Sequence, residues 1–508
     1  MDSQIVIYPI LYHAFLAVIL LFFWRKPQTQ RGISIVGSAF GVIIGAYLFS
    51  TVWNSGIQTM QLGNWKPPFG ITVVADTFSA TLVLLTNIVA FAVSIYSTAN
   101  VVSARVKFGY YGMFHFLIMG LTGAFLTGDI FNLYVWFEVI IISSFVLLTI
   151  GGKREQIEGA VKYFTLNMLA SIVFLTAIAM LYGVTGSLNM AELSRIIPEI
   201  ENKGLVQTIS FVFFVGFAVK SGLFPLYFWL PASYHTPPAA VSSLFGGLLT
   251  KVGVYALIRT FTLLFPISST NQYVFMWIAA FTIIFGGIGA LVQKNMVRTF
   301  SYLIICHIGF MVGGLSLFTQ TALIGAVFYM FHDIIVKANL FLIGGITFRI
   351  FGNNEFSKMG GLMNNYPKLS LLFLIPLFAL IGIPPLSGFW PKISLFGASM
   401  ETGNLIMTLM FIFASFITLL IIARIWNQVF SKYKSTEATL DKLKYFRQFT
   451  KMEKTALVLP VIILTGVTLY FSFFAEHMQI LSDRISHELM NPSIYYEAVF
   501  NNLNDPSL

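Results

Sequence analysis

Glu138, Lys220, Lys251, Lys337 and Lys392 each stand in the middle of an apolar run long enough to span a membrane. An ionisable side chain at the centre of a spanning helix costs about 2.5–3.5 kcal/mol on insertion scales, so a set of them facing lipid unpaired would cost on the order of 15 kcal/mol. They must therefore face protein or water. A spaced row of groups able to take up and release protons inside a bilayer is the chemistry of a proton path. Glu138 has no basic residue one turn away on its own helix, so its partner must come from another; pairing with Lys220 would hold it ionised, and breaking the pair would favour its protonation. Lys220 and Lys251 have no acidic residue within a turn and sit too deep to snorkel; desolvation favours their neutral form, in which either could accept a proton. Lys337 has Asp333 four residues before it, the favourable order for an ion pair on one helix face. His332 adjoins that pair and titrates closest to physiological pH. His307 and His235 are either further relay members or satisfied core histidines, and His115 reads as packing.

The elements that must hold these groups follow from apolar runs of about 20 residues. Fourteen spans are expected, starting near residues 5, 32, 71, 108, 130, 160, 205, 236, 273, 300, 322, 369, 403 and 455. Two of them are broken by proline and glycine: Lys220-Ser-Gly-Leu-Phe-Pro225 in span seven, and Ile383-Pro384-Pro385-Leu-Ser-Gly-Phe-Trp-Pro-Lys392 in span twelve. Proline removes a backbone donor and frees carbonyls that water or a nearby cation can satisfy. The breaks lie an odd number of spans apart, so their halves would enter the membrane from opposite sides, as in inverted-topology repeats, and matched broken helices point to a transport site. The expected fold is an all-α polytopic membrane protein with about 14 transmembrane helices and two inverted five-helix repeats, each containing one broken helix. The parts are residues 1–107, helices one to three; 108–262, the first repeat; 263–426, the second; and 427–508, an inner loop, helix fourteen and an outer tail.

The composition agrees, with 57% hydrophobic residues, 10% charged and a mean hydropathy of +0.82. No secretory signal is expected, since Asp2 replaces a basic start and the first apolar run, Ile5 to Trp24, lacks a small-residue cleavage site. The net charge of +10 does not indicate nucleic acid, because most of the 30 Lys and Arg residues fall on alternate connections: after spans one, three, five, nine and eleven, and densely after thirteen, from Arg424 through Lys432, Lys434, Lys442, Lys444 and Arg447 to Lys454. By the positive-inside rule these connections face inward, and both termini face outward. The tail from about Glu476 reads as a solvated terminus rather than an amphipathic segment lying on the surface. Asp129 is expected to cap span five, while Asp76 reads either as a structural loop partner or as part of a sodium entrance. The lone Cys306 excludes an internal disulfide and reads as core. There is no phosphate loop, paired-histidine metal motif or nucleophile elbow, so no cofactor, metal or catalytic centre is expected.

Four segments carry a family resemblance: Phe137-Glu138, the block Lys220-Ser-Gly-Leu-Phe-Pro-Leu-Tyr-Phe-Trp-Leu-Pro-Ala-Ser-Tyr-His235-Thr-Pro-Pro-Ala-Ala-Val-Ser-Ser-Leu, Lys251-Val-Gly-Val-Tyr, and Phe331-His332-Asp-Ile-Ile-Val-Lys337. Together they resemble the antiporter-like subunits shared by respiratory complex I and multisubunit Mrp-type cation/proton antiporters, across nearly the whole chain. Within that group, the length, Lys392 and the lysine-rich last inward loop look most like the D-type members of the Mrp branch. The resemblance implies a Glu138–Lys220 ion pair in a first half-channel, Lys251 linking it inward, His332 and Lys337 on a central axis and Lys392 ending the row. It also implies partner subunits, H+ and probably Na+ as the moving ions, and a bacterial cell membrane. The alternatives are a proton-pumping subunit of a complex I or membrane-bound hydrogenase, and a non-transporting scaffold.

Overall fold

In hydrocarbon every backbone N–H and C=O must find a partner within the protein, which leaves helix as the default for so apolar a chain. The computed structural model describes residues 3–265, 267–431 and 448–501, and most of them are helical. The main helices are α1 (Tyr8–Phe22), α2 (Pro27–Ser55), α3 (Thr77–Asn100), α4 (Tyr110–Leu126), α5 (Ile130–Thr149), α6 (Arg154–Thr185), α7 (Lys203–Ser221) and α8 (Ala239–Leu263). They are followed by α9 (Ser269–Val292), α10 (Met296–Leu317), α11 (Gln320–Phe351), α12 (Pro367–Ile381), α13 (Phe389–Glu401), α14 (Leu405–Ser431), α15 (Lys451–Phe473), α16 (Ala475–Met490) and α17 (Pro492–Asn501). Among the described residues, 11 of these helices are long and apolar enough to cross a membrane, and α1, α4 and α12 are shorter apolar helices. The chain is a mostly helical, multi-pass membrane protein. A two-stranded antiparallel hairpin, β1 (Gln58–Gln61) with β2 (Thr72–Ala75), pairs Gln58 with Ala75 and Gln61 with Thr72.

A helix that is apolar all round belongs in the middle of a bundle. That is where α8, α10 and α11 lie, buried along nearly their whole length, whereas α2, α6 and α14 leave most of theirs on the outer surface of the bundle. The central three carry Lys251, His307, His332, Asp333 and Lys337.

Features recur in pairs. The helices α6 and α11 both run for 32 residues and end at left-handed glycines, Gly186 (φ 69°) and Gly352 (φ 70°). Similarly, α7 and α12 end at Gly222 (φ 77°) and Gly382 (φ 86°). Asp129 caps α5 by accepting from the Asn132 N–H and bridges Asn189; Asn295 caps α10 by accepting from the Arg298 N–H and bridges Glu355. Both α8 and α14 contain a π-helical turn, at Phe245–Leu249 and Trp426–Ser431.

The tail departs from expectation. Instead of a solvated terminus, α16 is an amphipathic helix that buries Met478, Leu481, Ile485 and Leu489 against α3, α8 and α11. Its apolar positions recur with helical period, and the stripe finds a groove on the bundle. Arg484 donates to the carbonyls of Val52 and Trp53 at the end of α2, while Glu488 accepts from the Thr77 N–H (3.1 Å) and hydroxyl (2.6 Å) at the start of α3. A cation thus meets a helix C-terminus and an anion an N-terminus, the favourable sense of both dipoles. Lys432, Lys434, Lys442, Lys444 and Arg447 of the basic inner loop lie outside the described residues.

Candidate ion-translocating site

The centre is built on Asp333 of α11. Its carboxylate lies 2.6 Å from the Lys251 ammonium on α8, 3.9 Å from that of Lys337 and 3.5 Å from Nδ1 of His307 on α10, and all four side chains are fully buried. The expected local Asp333–Lys337 pair is therefore the longer contact. Spacing of four residues puts two side chains on one face, but it does not say which neighbouring helix that face meets. Here it meets α8, where the π-helical turn turns the Gly246 carbonyl to accept from Lys251 at 3.0 Å. Such a one-turn widening is a recurrent feature of functional helices. Gly247 permits the approach, since a Cβ there would stand 3.0 Å from the Ile334 carbonyl.

Among the described residues the Lys337 amine has no hydrogen-bonding partner. Two amines share one carboxylate, so the Lys251–Asp333–Lys337 set is electrically neutral only when one amine is without its extra proton. His307 also bonds Thr418 on α14 through Nε2 at 3.1 Å. His332 reaches the second break: its Nδ1 lies 2.8 Å from the Ser387 hydroxyl, between α12 and α13, and its Nε2 is buried without a partner among the described residues.

In that break, formed around Pro384 and Pro385, the terminal carbonyls of α12 have no helical N–H to accept from. Lys392 of α13 donates to the Ile381 carbonyl at 2.7 Å and lies 3.5 Å from that of Leu380, with its ammonium 5.2 Å from the Phe310 ring centre. The expectation that a nearby charge satisfies the freed carbonyls holds here.

The first break, at Pro225, is closed without its lysine. The Trp229 indole donates to the Val219 carbonyl at 3.1 Å, and the Phe224 N–H donates to Thr282 at 3.0 Å. Lys220 instead donates to Ser171 of α6 at 2.9 Å and stands 4.5 Å from the Phe137 ring centre. The expected Glu138–Lys220 ion pair is not made within 4.0 Å, and Oε1 of Glu138 is buried without a partner among the described residues. The adjoining Phe137 ring takes the position on the amine that the carboxylate was expected to fill. Gly253 lets α8 lie against α7 at this level, because a Cβ there would be 2.6 Å from the Ser221 hydroxyl.

Several contributors were missed in the sequence. Gln156, Tyr163, Asn167 and Ser171 recur at helical spacing on the buried face of α6. Tyr163 and Asn167 line a cavity of about 20 Å³ beside Lys220, room for one water. Gln156 lines a cavity of about 370 Å³ at the basic face, together with His235, Lys153, Asn295 and Arg349. His235 therefore stands at a mouth, apart from the other histidines; its Nδ1 lies 2.8 Å from the Pro231 carbonyl, and burial lowers its proton affinity. The signal was the polar period on an otherwise apolar 32-residue helix.

His115 is more than packing. Its Nδ1 lies 3.2 Å from Nδ1 of His13 and its Nε2 lies 3.0 Å from the Ser34 hydroxyl, while Nε2 of His13 lies 2.8 Å from Oδ1 of Asn87. The Asn87 oxygen can only accept, so one neutral arrangement satisfies every link: Ser34 to His115, His115 to His13, and His13 to Asn87. Asp76 caps α3 through the Ser79 N–H and pairs with Arg259 of α8. Asp129 is the cap that was expected, and Cys306 is buried in the core.

Residues 127–418 match the model of a family described as NADH:quinone oxidoreductase/Mrp antiporter, TM. The chain is 40% identical over 498 residues to the D-type Na(+)/H(+) antiporter subunit of Alkalihalophilus pseudofirmus, covering 98% of this chain and 99% of that one. A chain in the structure of the Mrp complex from Dietzia sp. DQ12-45-1b is similar at a TM-score of 0.88 and 24% identity, covering 98% of this chain and 100% of that chain. A chain of the membrane-bound sulfane sulfur reductase, an archaeal respiratory membrane complex, is similar at a TM-score of 0.87 and 28% identity, covering 96% and 99%.

Proposed function

The chain belongs to the NADH:quinone oxidoreductase/Mrp antiporter membrane family, and on that premise we propose that it is the proton-conducting, D-type member of a multisubunit Na+/H+ antiporter in a bacterial cell membrane. Protons pass along Glu138, Lys220, Lys251, His332, Lys337 and Lys392, with His307 and Asp333 at the centre and His235 at the inner mouth. Partner subunits couple this flow to sodium export. A charge crossing the full field carries about 2.3 kcal/mol per 100 mV, enough to drive sodium uphill when coupling is tight.

In this reading α1–α15 make fourteen spans, with α12 and α13 forming one, and residues 108–262 and 263–426 are inverted repeats between the 1–107 and 427–508 segments. The matched caps, glycine ends and breaks support the repeats. The hairpin and both chain ends gather opposite the face that carries Lys153, Lys294 and Arg298, which supports termini on the outer side.

The observation that carries the proposal is the buried Lys251–Asp333–Lys337 set, in which one amine is in excess of the available carboxylate. The test is sodium-dependent dissipation of an imposed proton gradient in everted vesicles holding the assembled complex. Wild type should exchange, and Lys337→Ala should not, because the Lys251–Asp333 pair then stays neutral and fixed. Near-normal exchange by that variant sinks the proposal. The likeness to a respiratory membrane complex favours one second reading: redox-driven pumping through the same row, indicated by copurifying iron–sulfur subunits and no sodium response in wild type.

A further inference from the structure

Three long helices, α6, α8 and α10, begin at the wall of the cavity of about 370 Å³ on the basic face, so the positive ends of three helix dipoles converge on it. Three cations line it as well: Arg105 from the short helical segment Ser103–Lys107, Lys153 at the cap of α6 and Arg349 in the last turn of α11. None of them has a carboxylate within 4.0 Å among the described residues. Partial burial lowers the proton affinity of Arg105, with no anion to offset it. Arg349 donates at 3.0 Å to the Ala99 carbonyl, a neutral partner that leaves its charge in place. Among the described lining residues the one carboxylate is that of Glu155.

The neutral groups add donors. Asn100, Asn295 and Asn353 line the cavity, and each commits its side-chain oxygen to a backbone N–H, of Ala240 (3.2 Å), Arg298 (3.1 Å) and Glu355 (2.7 Å). Each amide is thereby fixed with its nitrogen, which only donates, left over. A cavity that gathers cations, dipole ends and N–H donors around a single carboxylate is short of acceptors, and a tetrahedral oxyanion presents acceptors on every side. We propose that it is a binding site for an oxyanion of the phosphate class on the inner side of the membrane, with Arg105 and Lys153 as charged contacts and the three asparagine amides around them. It shares His235 with the proposed inner mouth. Binding is read directly and without transport, so this site and the transport reading can fail separately.

The assembled complex in phosphatidylcholine nanodiscs is titrated with inorganic phosphate, and binding is read by phosphorus NMR line broadening. Wild type should show saturable binding with a Kd of about 1 mM or tighter. Arg105→Gln and Lys153→Gln should each weaken it about tenfold, and Glu155→Gln, which removes the lining carboxylate, should tighten it about threefold. Lys107→Gln makes the same change of charge on the same short segment but outside the lining, and should leave binding as it is. No saturable binding by wild type overturns the site, and an equal loss in Lys107→Gln overturns it in favour of a diffuse basic surface. Nanodiscs of phosphatidylglycerol separate two sources of the same chemistry: unchanged affinity assigns the cavity to a dissolved phosphate, and competition assigns it to a lipid headgroup.

Discussion

The two broken helices of this molecule solve one problem in opposite ways. In the second, the lysine closes the gap: Lys392 satisfies the carbonyls that the break leaves at the end of α12. In the first, Trp229 and Thr282 do that work, and Lys220 is left to Ser171 and the small cavity beside it. Each amine lies over a phenylalanine, Phe137 of α5 or Phe310 of α10. Only the first has a glutamate, Glu138, next to its ring. One lysine is thus tied to the backbone that defines the break, and the other is free to change partners without undoing the fold. The two breaks share a local architecture while separating the tasks of their lysines.

The largest effect belongs to the buried carboxylate at the centre. Asp333→Asn leaves Lys251 and Lys337 buried with no counter-charge, and thermal unfolding in detergent should show a loss of about 3–5 kcal/mol, with exchange abolished. Retained stability would mean that water already screens the two amines, and α8 and α11 would then be less coupled than the geometry implies.

The caps offer a second comparison, since Asp129 opens α5 where Asn295 opens α10. Burial, partly offset by the Asn132 N–H, lifts the Asp129 carboxyl to about 6. The folded protein therefore holds that proton more tightly than the unfolded chain does. The group's contribution is fully present below about pH 4 and is lost as pH rises through about 6, by up to about 3 kcal/mol. Asp129→Asn makes the two caps alike and should flatten the wild-type decline between those pH values in unfolding measurements; an unchanged slope would assign the decline to another group.

Lys392→Met and Lys220→Met compare the breaks directly. Loss of the charge-assisted bond at the second break should cost about 1.5–3 kcal/mol, and Lys220→Met should cost less, although exchange falls in both. Equal costs would erase the distinction. The smallest expected effect is Trp229→Phe, which removes one neutral hydrogen bond from the first break and should cost about 1 kcal/mol, with Lys392→Met unaffected in its presence.

Span positions were legible because hydrocarbon imposes length and polarity on each helix separately: the expected starts near 130, 205, 322, 369 and 403 meet helices beginning at Ile130, Lys203, Gln320, Pro367 and Leu405. The ionisable row and both breaks were legible for the same reason, as local exceptions to a strict rule. What local spacing did not carry was partnership. Asp333 was assigned to Lys337 because they share a helix, yet Lys251 comes closer from another. His115 passed for packing because its partners lie on two other helices. The short polar run of α16 looked like a loose end because the groove that receives it is assembled by distant helices.

That last segment also sets a timetable. Arg484 and Glu488 hold the facing ends of α2 and α3 across 411 to 432 residues of chain. At about 5–20 residues per second, a ribosome needs roughly 20–90 s to deliver them after the first hairpin is made. Until then, the Trp53 carbonyl and the Thr77 amide must borrow partners at the membrane surface. A chain released before Arg484 is made keeps its hairpin unfastened, so this late stretch fastens what the early helices leave open.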